Sequence, residues 1–229
     1  QWFRDAQNWA NKDQYFHWKL EYPETFYTKD GSQRDDPGFD AIVGNPPWVN
    51  AWEMTDSNGE GLRRAIEGSL SESELLTGHW DLYVPFVIRG FELSREDGLF
   101  SYILPNAISR ERYAEELRSH LLEETELKRV ASFGEKNVFE GVSRQTVIPI
   151  FRNMVPNENS LVHIDNGFTQ TAAEDSKIPQ SFFANTPGSQ IRHESGVEQF
   201  NLLEKLEKQS VRLGNICYVN YGAQISSKE

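Results

Sequence analysis

Apolar and polar positions change period several times along the chain, and each change predicts an element. Residues 1–38 mix aromatic and polar side chains until Asp35-Asp36-Pro37-Gly38 breaks the run with a turn. Phe39-Asp40-Ala41-Ile42-Val43-Gly44 is then a short apolar run closed by glycine and two prolines, which reads as a buried parallel strand. Residues 50–78 are polar and rich in Gly and Ser, with a short helix over 62–70. Helical spacing returns over 80–93, where Leu82, Phe86, Ile88 and Phe91 recur, and residues 99–105 read as a second strand stopped by proline. Ser109 is placed to cap a helix running to 122, with Glu111 near its start. Residues 127–133 and 146–151 read as strands joined by a polar loop holding Phe139, and 161–164 as a fifth strand. Residues 166–192 read as an irregular polar connection and 196–209 as a helix, and something new starts at 211. Alternation of strand and helix predicts an α/β fold with a mainly parallel sheet, whose ligands sit at the carboxyl ends of the strands.

Composition narrows this picture. The 229 residues are 38% hydrophobic and 25% charged, which suits a globular chain and excludes a disordered one. No apolar run approaches the ~18 residues of a membrane span, and no signal peptide is apparent. Cys217 is the single cysteine, which rules out an internal disulfide or a thiol metal cluster and makes a reducing, cytoplasmic setting the default. The five histidines show no metal-ligand spacing, so no metal is expected. The formal charge of -12 argues mildly against nucleic-acid binding. A basic surface elsewhere in the protein, or an acidic shell adapted to high salt, would reconcile the two. The opening Gln1 and the core-type residues Trp2, Phe3 and Trp9 right after it read as a piece cut from a longer protein.

Asn45-Pro46-Pro47-Trp48, at the carboxyl end of the first strand, carries the most specific chemistry. An exocyclic amine on an aromatic ring is a poor nucleophile, because its lone pair is delocalised into the ring. Two fixed acceptors aimed at its N–H bonds draw that pair outward and stabilise the positive charge that develops on nitrogen. The side-chain oxygen of Asn45 and the carbonyl of Pro46 can be those acceptors. Consecutive prolines fix both in place, since proline locks its own φ and confines the residue before it to extended conformations. Trp48 offers a face on which an extruded base can stack, worth about 1–3 kcal/mol, and Gly44 permits close approach. The plain alternative is a strand ending in a Pro-Pro turn, with Asn45 as turn former and Trp48 as core.

The run from Phe39 to Trp48 resembles motif IV of the N6-adenine DNA methyltransferases. Residues 16–26 are similar to the segment before motif IV in Eco57I-like restriction-modification methylases, a relationship that extends to phage-defence methylases. Trp80-Asp81-Leu82-Tyr83-Val84-Pro85-Phe86 resembles motif V, residues 98–105 motif VI, and Asn137-Val138-Phe139-Glu140 with the strand after it motif VIII. The resemblance covers roughly residues 10–155. It implies a partial Rossmann-like class I methyltransferase fold, the C-terminal half of the sheet, mainly parallel with an antiparallel last strand. It also implies methyl transfer from S-adenosylmethionine to a flipped adenine in double-stranded DNA. Asn45 and Pro46 would accept from the target amine, Pro47 would hold the turn, and Trp48 and Phe139 would stack on the two faces of the base. Phe86 would lie near the adenine of S-adenosylmethionine, with Asn45 bordering the same site.

On this reading residues 1–155 belong to the catalytic domain, 156–210 to a connector, and 211–229 to the start of a target-recognition domain. The family's Gly-rich cofactor loop is not seen; Asn58-Gly59-Glu60-Gly61 follows no apolar strand. The piece is therefore expected to be inactive alone. The strand at 39–44 would lack a neighbour, and an unpaired edge predicts self-association or cover by the N-terminal segment. Two other functions fit the sequence: a cytosine-N4 DNA methyltransferase, whose target amine poses the same electronic problem, and a non-catalytic methyltransferase-like module that binds DNA or protein.

Overall fold

A computed structural model of the chain describes residues 16–50, 57–71, 74–133, 145–166 and 177–193, with a few positions outside those ranges. The chain divides into two compact units, residues 1–194 and 195–229. In the second, Leu202, Lys205, Leu206 and Gln209 are helical, within the helix expected over 196–209. No helix among the described residues is long and apolar enough to cross a membrane.

The first unit is built on a seven-stranded sheet in the order β1-β2-β5-β4-β6-β7, with β3 also paired to β5. The strands are β1 (Phe39–Gly44), β2 (Ser94–Tyr102), β3 (Leu104–Pro105), β4 (Glu126–Ser132), β5 (Thr146–Arg152), β6 (Leu161–Asn166) and β7 (Lys177–Pro179). β1 pairs parallel with β2 and β4 with β6, whereas β5 is antiparallel to β2, β3 and β4, and β7 to β6. Five strands thus share one direction, and β5 and β7 are reversed. Two short helical turns, Trp18–Glu21 and Pro23–Phe26, precede β1, and the other helices are α1 (Ser57–Ser69), α2 (Tyr83–Leu93), α3 (Glu115–Glu124) and α4 (Gln180–Ala184), with three 3-10 turns besides.

The helix expected over 80–93 forms, but its core stripe is Tyr83, Val84, Val87, Ile88 and Leu93, while Phe86 faces outward. Ser94 ends α2 by turning extended and donating its hydroxyl to the Phe91 carbonyl at 2.8 Å. β2 therefore begins without a loop. Its regular ladder starts only at Leu99, opposite Ala41, because the register shifts between Phe39 and Ala41. At the centre of the sheet Phe100 stacks on Phe151, with centroids 5.1 Å apart.

Three expectations need correction. β1 is parallel but not buried: it is the last strand of the sheet, Ala41 is exposed, and Val43 is 84% exposed. Among the described residues of the N-terminal segment, Trp18, Tyr22 and Phe26 pack edge-on around Phe39 at the start of the strand. Ser109 does not cap a helix. Residues Asn106–Ser109 and Arg112–Ala114 form two 3-10 turns, and α3 begins only at Glu115. The cause is Arg118, 1% exposed, which donates to the carbonyls of Ile108, Glu111 and Gly188 and so bends the entering chain around itself. Residues 177–193 are not irregular either. Gln180 is buried and bridges the Leu122 and Thr125 carbonyls to the Leu127 N–H, closing the end of α3 against β4.

Candidate functional site

β1 delivers Asn45 to the rim where the parallel strands end. Ile103, the residue between β2 and β3, grips the tetrapeptide on both sides. Its N–H donates to the Gly44 carbonyl at 3.0 Å, and its own carbonyl accepts the Trp48 indole N–H at 3.2 Å. This fixes the plane of an indole that is only partly buried. Pro46 is buried and anchors the turn, while Asn45 and Pro47 are exposed. Among the described residues the Asn45 carboxamide has no hydrogen-bond partner, so its oxygen remains available to a ligand.

Gly44 serves a different neighbour from the one anticipated. A Cβ there would lie 2.7 Å from the Tyr102 ring, and one at Gly90 would lie 2.5 Å from the Tyr102 hydroxyl. The two glycines form a slot for this tyrosine between β1 and α2, and burial pushes its phenol up to about 12. Phe86, 44% exposed on α2, presents an aromatic surface rather than core. Phe139 lies outside the described residues.

The chain leaving Trp48 is fastened to the start of α2. Leu82 N–H donates to the Val49 carbonyl at 2.8 Å, Asn50 and Asp81 form an antiparallel bridge, and Asn50 Nδ2 donates to Asp81 Oδ1 at 3.0 Å. Asn50, Asp81 and Tyr113 line an open cleft of about 510 Å³, together with Pro105, Asn106 and Arg110. Sequence reasoning named Asp81 only as part of a motif and passed over Asn50, Ile103 and Tyr113. The available signal was an acidic residue between Trp80 and Leu82, directly before an apolar helix.

Residues 1–139 match the Eco57I restriction-modification methylase family. The chain belongs to this family. The type II restriction enzyme and methyltransferase RM.Eco57I of Escherichia coli is 28% identical over 124 residues, covering 53% of this chain and 12% of that protein. The type II methyltransferase M.HincII of Haemophilus influenzae is 27% identical over 114 residues, covering 50% of this chain and 22% of its own. The chain thus spans less than a quarter of either relative. Among solved structures, the type IIG restriction endonuclease BpuSI aligns over 74% of this chain and 22% of its own, with a TM-score of 0.51 and 15% identity, a likeness of fold. The α/β architecture with a mainly parallel sheet expected from the sequence is the one found.

Proposed function

We propose that the full-length protein is an S-adenosylmethionine-dependent DNA methyltransferase of a restriction-modification or phage-defence system, acting on N6 of an adenine turned out of the duplex. The observation that carries this reading is the rim itself: an exposed Asn45, a buried Pro46 and a partly exposed Trp48 whose indole is held by Ile103. Asn45 Oδ1 and the Pro46 carbonyl accept the two N–H bonds of the target amine, and Pro47 keeps both acceptors from reorganising. Trp48 stacks on one face of the base and Phe139 on the other. The exposed ring of Phe86 suits the adenine of the cofactor, with Asn45 at the border of the same site. When bound, S-adenosylmethionine supplies the electrophilic methyl group.

The partner is double-stranded DNA, with residues 1–155 catalytic, 211–229 opening a target-recognition domain, and 156–210 joining the two by way of β6 and β7 of the same sheet. In this chain by itself the open edge at Ala41 and Val43 supports self-association. Val43→Lys is expected to dissociate such a dimer in sedimentation experiments, and a wild-type chain that is monomeric at its highest soluble concentration contradicts it. The chemical assignment is tested by nucleoside mass spectrometry of DNA treated with the full-length protein. N6-methyladenine is expected. N4-methylcytosine would transfer the same rim to the other amine, and unmodified DNA would remove the enzymatic reading.

A further inference from the structure

Asp81 is 5% exposed, lines the cleft beside the rim, and has no part in the chemistry assigned to Asn45 and Trp48. Its two carboxylate oxygens are engaged separately. Oδ1 accepts from Asn50 at 3.0 Å, and Oδ2 accepts from the Tyr113 hydroxyl at 2.8 Å. Tyr113 has one hydroxyl proton and gives it to Asp81, so the fully buried Tyr83 donates across the 3.1 Å contact between the two phenols. Burial raises both phenols above the usual tyrosine range, so both are protonated and donating at neutral pH. The result is a directed chain from Tyr83 through Tyr113 to Asp81, met from the other side by Asn50. Each link polarises the next.

Resting on the function proposed above, we infer that Asp81 is a positioning residue for the rim: with Tyr113 behind it, its carboxylate holds Asn50, and so the chain leaving Trp48, against the start of α2. A carboxylate just before a helix also favours the helix dipole. Tyr113→Phe separates the two roles, because it leaves that charge in place and removes only the hydroxyl.

Hydrogen exchange on this chain reads the effect directly. The Leu82 amide, bonded to the Val49 carbonyl, reports the fastening, and the Ile103 amide, bonded to the Gly44 carbonyl, reports general loosening. Asp81→Asn and Tyr113→Phe are expected to speed exchange at Leu82 at least threefold while Ile103 changes less than twofold, with Tyr83→Phe giving the smallest effect. Unchanged exchange at Leu82, or equal acceleration at both amides, overturns the inference. In the full-length protein the same two variants should lower the methyl-transfer rate about tenfold, the loss expected for one hydrogen bond in a positioning network, with KM for S-adenosylmethionine within about twofold of wild type. Absence of wild-type transfer, or full activity in Asn45→Ala, would sink the proposed function and leave the exchange result standing. Normal rates in both variants, with Asn45→Ala inactive, would sink the positioning role alone.

Discussion

Val43 on β1 is 84% exposed, whereas Leu127 and Val130 on β4 are almost fully buried, although both strands belong to one sheet. The β4 side is closed from within: Arg118 and Gln180 lie buried there, and each satisfies backbone groups that would otherwise go unpaired. The β1 side carries its acceptors and aromatic faces at an open rim, held by a few hydrogen bonds from Ile103, Asn50 and Asp81. The contrast teaches where each kind of substitution should register. Changes on the β4 side should cost stability. Changes at the rim should cost function and leave the fold nearly intact.

Arg118→Ala attacks the closed side hardest. It strands the carbonyls of Ile108, Glu111 and Gly188 and leaves a cavity, so urea unfolding should show a loss of about 3–5 kcal/mol. Arg118→Lys should recover little of this, because an ammonium cannot reproduce the guanidinium fork. A loss no larger than that of a surface substitution would erase the contrast between the two sides.

Gly90→Ala probes the seam between them, where the Tyr102 slot joins β1 to α2. The added methyl group meets the Tyr102 hydroxyl at 2.5 Å, for an expected cost of about 1–3 kcal/mol. Combining it with Tyr102→Phe should relieve part of that cost in a double-mutant cycle. Strict additivity would mean that the ring yields elsewhere.

His163 sharpens the account of the closed side through pH. Burial, and then Lys177, Arg129 and Lys128, hold its imidazole below the usual 6.5. Arg129 and Lys177 are its cross-strand partners on β4 and β7. A base with a depressed folded pKa takes up protons in the unfolded chain first, so its contribution is intact above about pH 6.5 and is lost as pH falls below it. His163→Gln should flatten the stability profile in that window, and an unchanged slope would refute it. Val43→Lys is the smallest effect: at concentrations low enough to keep the wild-type chain monomeric, a shift in unfolding free energy within about 0.5 kcal/mol, as for an exposed position.

Much of this division was readable in the sequence, and the unread parts share a cause. The strands at 39–44, 127–133 and 146–151 announced themselves because a continuous apolar run between breakers is a local signal. Asn45-Pro46-Pro47-Trp48 announced itself because two prolines in series after a strand constrain the chain locally. The exposure of Val43 was not local, since it depends on β1 ending the strand order. The Ser109 cap failed because Arg118 takes the neighbouring carbonyls and Ile191 N–H takes that of Ser109 itself. Asp81 escaped notice because the residues that give it meaning, Asn50 and Tyr113, lie 31 and 32 positions away. Periodicity finds elements, and long-range hydrogen bonds stay hidden until the fold brings their partners together.

The central claim is that fixed oxygen acceptors at the rim make an aromatic amine reactive. Its most direct test is single-turnover transfer of a labelled methyl group to DNA by the full-length protein, wild type against Asn45→Ala, with DNA binding and the urea midpoint measured in parallel. The account predicts a rate at least about 100-fold lower in the variant, the scale of removing one preorganised partner of a developing charge, with binding and stability essentially unchanged. A variant that transfers methyl groups within a few-fold of wild type would contradict it.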